Sequence, residues 1–187
     1  MKFSKSTALF FSTAVFSFLI VISSCKKDNV TATIPFNAAR QAVIDDSVLV
    51  QYLMDQNLTD SVAKTSTGLY YRFIKTIPDS IGPRPDSLYP NPDYKSVKNG
   101  DLVFVRYEGR LLNDTLFDGN INSAIAFQFR PGVSSVISGW NEGVRFFKKG
   151  EMGYLYMPSR LAYKNFAQGK IPPNSCIKFF IHISNVE

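Results

Sequence analysis

The sequence predicts an α+β domain: an antiparallel sheet wrapped around one short central helix, with a helical extension on its N-terminal side. Three observations predict it. Val103, Val105, Tyr107, Gly109 and Leu111 alternate with Phe104, Arg106, Glu108 and Arg110, the period-two signature of a half-buried antiparallel strand. "CIKFFIHISN" near the end of the chain places Ile177, Phe179, Ile181 and Ile183 on one face of a second strand. Between them "GWNEGVRFFKKG" reads as one short helix bounded by glycines. Many short strands around one short helix define a layered sheet-and-helix domain.

In chain order, the first segment is not part of that fold. "MKFSK" supplies two lysines, and an uncharged apolar run follows to Ser24. A basic start, an apolar stretch and small residues at the exit describe a secretory signal. "VISSC" at 21–25 resembles a bacterial lipoprotein signal. That resemblance implies cleavage before Cys25, lipidation of its thiol and new amino end, and a membrane anchor in the bacterial envelope. Several acyl chains hold a soluble domain firmly, at about 0.8 kcal/mol per buried methylene. Lys26, Lys27 and Asp28 loosely resemble surface-export signals of some Gram-negative lipoproteins. The expected organisation is a signal peptide over 1–24, a lipidated tether over 25–37, a helical extension over 38–67 and the folded domain over 68–187, with its core at 100–186.

Asn37 is a candidate helix cap. Ile44, Val48, Leu49, Tyr52 and Leu53 recur at helical spacing, so a helix is expected over about 38–56, packed on the domain. After Gly68, "LYYRFIKTI" is a strand candidate. Pro78, Pro83, Pro85, Pro90 and Pro92 then mark an exposed insertion, because proline lacks a backbone donor and fixes φ. "AFQF" at 126–129 alternates, and "EMGYLYMP" is a strand that stops at Pro158.

Composition narrows the chemistry. The 187 residues are 45% hydrophobic and 14% aromatic, too apolar for a disordered chain. The formal charge of +6 falls by two once Lys2 and Lys5 are removed, and no dense basic run marks a nucleic-acid surface. The one histidine, His182, lies in the final strand on the face opposite Ile181, and Cys176 lies inside or beside that strand. No Cys-His or Ser-His-Asp set is assured. No metal-ligand cluster or glycine-rich phosphate loop stands out, and no cofactor is implied.

What the body does hold is a dispersed set of aromatics beside glycines and prolines: "VRYEGRL" (105–111), "LFDGN" (116–120), "AFQFRPG" (126–132), "VISGWNEGV" (136–144), "MPSRLAY" (157–163) and "KIPPNSCIKFF" (170–180). In this order the six pieces resemble the FKBP family of peptidyl-prolyl cis-trans isomerases, over about residues 100–186. The resemblance implies an FKBP-like fold and places Tyr107, Phe117, Asp118, Phe127, Val136, Ile137, Trp140, Tyr163, Ile171 and Phe179 at a proline-binding pocket. Trp140 would form the floor, with Phe127, Phe179 and Tyr107 as walls. The Ile137 N–H and the Tyr163 hydroxyl would donate to peptide carbonyls, and Asp118 would accept from Tyr107. Read on composition alone, Trp140, Phe127 and Phe179 are equally core residues; only the ordered set of motifs gives them a role.

Such a pocket suits a reaction without a nucleophile. An X-Pro bond rotates over a barrier of about 18–20 kcal/mol that comes from amide resonance. The twisted transition state loses that resonance and much of its carbonyl polarisation. A dry aromatic site accepts it better than the planar amide, and each 1.4 kcal/mol or so of selective stabilisation is tenfold in rate. The expected function is isomerisation of X-Pro bonds in exported proteins, with proline-containing segments as partners and neither metal nor nucleic acid involved. Two other readings use the same fold: a non-catalytic proline-peptide-binding or chaperone lipoprotein, and a component of an envelope machine of the gliding type. The rim departs from the family pattern. Lys164 stands where glycine usually follows the tyrosine of "AY", Ser123 lies near the place of a frequent arginine, and Ser135 replaces a common acidic residue.

Overall fold

The structure is a computed structural model that describes residues 36–74 and 95–187. The expected signal, Cys25 and its tether, and the proline-rich insertion lie outside the described residues. Helix α1 spans Ala38–Asp55, and the Asn37 side chain caps it by accepting from the Arg40 N–H at 2.9 Å. Among the described residues seven strands follow: β1 (Ala63–Lys64), β2 (Tyr70–Phe73), β3 (Val103–Leu111), β4 (Leu116–Gly119), β5 (Phe127–Phe129), β6 (Met152–Met157) and β7 (Ile177–Val186). Helix α2 spans Ser138–Gly143 between β5 and β6.

All strand pairs are antiparallel, in the order β1-β2-β6-β7-β3-β4, with β5 paired to the other end of β3. The two strands with the clearest alternation, β3 and β7, lie side by side at the centre. Val103, Val105, Ile177, Phe179, Ile181 and Ile183 point to one face and bury with Trp140, Val144 and Phe147 from α2 and the turn after it. That face is the core, and α2 is the helix the sheet wraps.

The expected helix over 139–150 is shorter in the structure. Its α-helical part ends at Gly143, a 3₁₀ turn covers Val144–Phe146, and Phe147 is extended. Phe147 is fully buried; continuing the helix would carry its ring away from the core. Gly143 also sits tight against the sheet, where an added Cβ would lie 2.6 Å from Leu155 Cδ1.

The N-terminal helix packs on the other face. Leu49 and Leu53 of α1 bury against Tyr70, Tyr156 and Cys176, the outward neighbours of the core residues on β2, β6 and the lead into β7. Lys178 on that face donates to Tyr52 Oη at 2.7 Å and to Asp114 Oδ1 at 2.5 Å. The described residues form one compact unit.

Candidate functional site

Strands β3, β4, β5 and β7 bring aromatic side chains together around Trp140 at the start of α2. Trp140 lies in its first turn, only 4% exposed. Three rings stand almost perpendicular to the indole: Tyr107 of β3 at 4.9 Å and 87°, Phe127 of β5 at 5.6 Å and 88°, and Phe179 of β7 at 5.2 Å and 88°. Phe129 closes the inner side at 5.5 Å. Edge-to-face packing of this kind is favoured by the ring quadrupole. Phe127 is the open member, 38% exposed, whereas Phe179 and Ile171 are each 2% exposed.

The short strand β4 carries Phe117 and Asp118 to the same place. Phe117 meets Phe179 edge-on at 5.5 Å. Asp118 Oδ2 accepts from the Tyr107 hydroxyl at 2.8 Å, and Oδ1 from the Gly119 N–H at 2.8 Å. Burial, and then the neighbouring Asp118 carboxylate, push the Tyr107 phenol far above its ordinary range. Tyr163, half-buried, is raised by the same two causes in the same order. Both hydroxyls therefore stay protonated donors at any physiological pH.

Val136 and Ile137 form the extended lead into α2 and pack on the core. Among the described residues, the Ile137 N–H and the Tyr163 hydroxyl have no hydrogen-bond acceptor. Ile171 pairs with Gln168 in a small bridge within the loop before β7. Of the ten residues expected at the pocket, Tyr107, Phe117, Phe127, Trp140 and Phe179 are joined by ring contacts and Asp118 by its hydrogen bond to Tyr107, while Val136, Ile137, Tyr163 and Ile171 pack in or on the same core.

Several residues that shape this region were not expected from sequence. Asn120 Oδ1 accepts from the Tyr107 N–H at 2.8 Å and its amide donates to Val105 O at 3.1 Å, so a side chain continues the pairing of β3 where β4 ends. Asn141 Oδ1 accepts from the Gly132 N–H at 2.9 Å and ties the loop before Val136 to α2. Asn120 lies inside "LFDGN" and Asn141 inside "WNEGV", but neither asparagine has a local pattern that announces its partner. At the rim, Arg106 donates to the backbone oxygens of Ser123 and Ala124. Lys164 has φ +59°, in the left-handed region, which explains why glycine suits that position.

Two surface concavities, of about 350 and 320 Å³, lie away from this cluster. One is lined by Glu108, Arg110, Lys178 and Tyr154 on the outer face of the sheet, the other by α1, Lys64 and Arg160.

An antiparallel sheet over a short helix, with perpendicular rings around a tryptophan at the helix start, defines a class of protein. Residues 93–184 match the sequence profile of FKBP-type peptidyl-prolyl cis-trans isomerases. The chain is 36% identical over 110 residues to FK506-binding protein 1 of Saccharomyces cerevisiae, covering 58% of this chain and 90% of that protein. It is 32% identical over 136 residues to a probable FKBP-type peptidyl-prolyl cis-trans isomerase, FkpA, of Neisseria meningitidis serogroup B, covering 72% of this chain and 44% of that protein. The crystal structure of FkpA from Escherichia coli superposes with a TM-score of 0.60 at 27% identity, over 80% of this chain and 62% of that one. The chain belongs to the FKBP-type peptidyl-prolyl cis-trans isomerase family. It spans less than half the length of its Neisseria relative.

Proposed function

We propose that the protein accelerates cis-trans rotation of X-Pro bonds, with the ring cluster at Trp140 as its site. The observation that carries this reading is the perpendicular setting of Tyr107, Phe127 and Phe179 on the indole. In the proposed complex a pyrrolidine ring lies on the indole face, and Phe127, the exposed wall, is where it enters. The Ile137 N–H and the Tyr163 hydroxyl donate to the carbonyls flanking the proline. Asp118 holds Tyr107 through its hydroxyl and keeps that wall upright. The carbonyl before the proline turns in a dry, aromatic setting that disfavours the polar planar amide relative to the twisted one. No proton is transferred and no covalent bond is made.

The test is a protease-coupled assay on a proline tetrapeptide. Wild type shortens the slow phase, Trp140→Ala and Asp118→Ala lose most of that effect, and circular dichroism checks that both variants fold. A wild-type rate equal to the uncatalysed one defeats the enzyme reading. Quenching or shift of Trp140 fluorescence by the peptide without acceleration selects the non-catalytic binding reading.

The substrates proposed are proline-containing segments of exported proteins, and the place is the bacterial envelope, through lipid on Cys25. The support is the "VISSC" pattern after an apolar run. Expression of the full chain with labelled palmitate should give a labelled, membrane-associated protein, and Cys25→Ala should abolish both. Label retained on the variant removes the anchor.

A further inference from the structure

We propose that helix α1, which lies outside the part of the chain matching the family profile, positions the rim of the site, and that Asp45 is the positioning residue. The inference rests on the site assigned above.

Asp45 is a carboxylate on the packed face of α1, 1% exposed. Buried charge is tolerated only with full hydrogen bonding, and its partners are specific. Oδ2 accepts from the Ser159 N–H at 2.8 Å and from the Ser159 hydroxyl at 2.6 Å, while Oδ1 accepts from Gln41 Nε2 at 2.7 Å. The Asp45 backbone oxygen faces Cys176 Sγ at 3.6 Å. Ser159, itself 1% exposed, opens the 3₁₀ turn Ser159–Leu161 that leads into Tyr163, and Cys176 closes the loop that carries Ile171. One residue of α1 therefore touches both ends of the 159–176 segment.

The connection runs on by short backbone bonds. Ser159 O accepts from the N–H groups of Ala162 at 3.0 Å and Lys164 at 2.8 Å, which flank Tyr163 on either side. Lys164 O accepts from the Asn174 N–H at 2.7 Å. Fixing Ser159 fixes Tyr163 through both of its neighbours, and holds Lys164 in its left-handed conformation. A loop left to itself would sample several such geometries, and a misplacement of about 1 Å at a substrate-orienting group is enough to cost a large factor in rate.

The experiment compares wild type, Asp45→Ala, Ser159→Ala and the isosteric Asp45→Asn, which keeps an acceptor for the Ser159 N–H. Amide hydrogen exchange is read at Lys164 and Asn174, and kcat/KM for the proline tetrapeptide is corrected for the folded fraction. Asp45→Ala should lower exchange protection at those two amides at least about tenfold while β3 and β7 keep theirs, and lower kcat/KM about tenfold. Asp45→Asn should restore most of both. A purely structural role for α1 would lower the melting temperature with activity per folded molecule unchanged, and that result overturns the proposal. Should wild type prove inactive, the isomerase reading fails separately, and unchanged exchange at Lys164 and Asn174 in Asp45→Ala overturns the positioning claim by itself.

Discussion

The Tyr107 hydroxyl and the Asp118 carboxylate meet at 2.8 Å, joining the middle of β3 to the short strand beside it. Tyr107 also lies edge-on to Trp140 at 4.9 Å. One hydrogen bond thus sets the angle of a ring that touches the indole. Tyr107→Phe keeps the ring and loses the donor, and should cost about 1 kcal/mol of stability, the range of a net intramolecular hydrogen bond. Because burial and Asp118 both favour the neutral phenol, the Tyr107 Cζ resonance of labelled protein should not titrate up to pH 11. Asp118→Asn removes the charge but not the burial, so its Tyr107 should ionise at lower pH than in wild type while staying above the ordinary range. Titration near pH 10 in wild type would contradict the geometry.

Gly109 carries a different part of the site. A Cβ built there would lie 2.5 Å from Phe117 Cε2 and 2.6 Å from Phe179 Cε1. Both rings are wedged, Phe179 by Trp140 at 5.2 Å and Phe117 by Phe179. Gly109→Ala should therefore behave as overpacking and cost about 1–3 kcal/mol. For a unit of this size that lowers the melting point by roughly 2–4 °C per kcal/mol. Displacing Phe179 alters the surroundings of the one tryptophan, so the emission maximum should move as well. Calorimetry and fluorescence read the two effects separately.

What could be read from the sequence follows from the range of each signal. The 38–56 helix, β3 and β7 were legible because each carries a local period that one buried face imposes, and Asn37 as a cap needs only its neighbours. Strand β4 was not: three of its four residues are exposed, so it has no alternation to read, and only the order of motifs drew attention to Phe117 and Asp118. The rings of the site could be named from those motifs, but their perpendicular setting depends on contacts among β3, β5, β7 and α2. Asp45 and Ser159 stand 114 residues apart. The one local hint was a carboxylate four residues before Leu49 on a packed helix face, and it does not say which partner satisfies it.

Lys164 is a non-glycine residue at φ +59°. A left-handed conformation costs an L-residue about 1–2 kcal/mol, while glycine adds freedom to the unfolded chain worth about 0.4–1 kcal/mol. Lys164→Gly should therefore stabilise by up to about 1 kcal/mol, and Lys164→Val, with a branched Cβ, should destabilise by more than that. Thermal melts of the two variants against wild type check the sign. The same backbone oxygen and N–H bind Asn174 and Ser159, so the glycine variant keeps the loop connections and changes only the strain.

His182 gives the fold a pH dependence between neutral and mildly acidic solution. It pairs with Arg106 across β3 and β7 and with Met152 on β6. Burial, and then the Arg106 charge, hold its imidazole below the usual value of 6.5. The neutral form is favoured in the folded state, so the unfolded chain takes up the proton first as pH falls. Stability is then highest above about pH 6.5 and declines on going down through it. Asp46 and Asp114, held below the usual carboxylate value by Lys64 and Lys178 respectively, lose their stabilising effect only in more acidic solution, below about pH 4. Melting temperatures between pH 7.5 and 5 should accordingly fall for wild type and stay nearly level for His182→Gln, since His182 is the one histidine of the chain. Equal slopes for the two proteins would place the titrating group elsewhere.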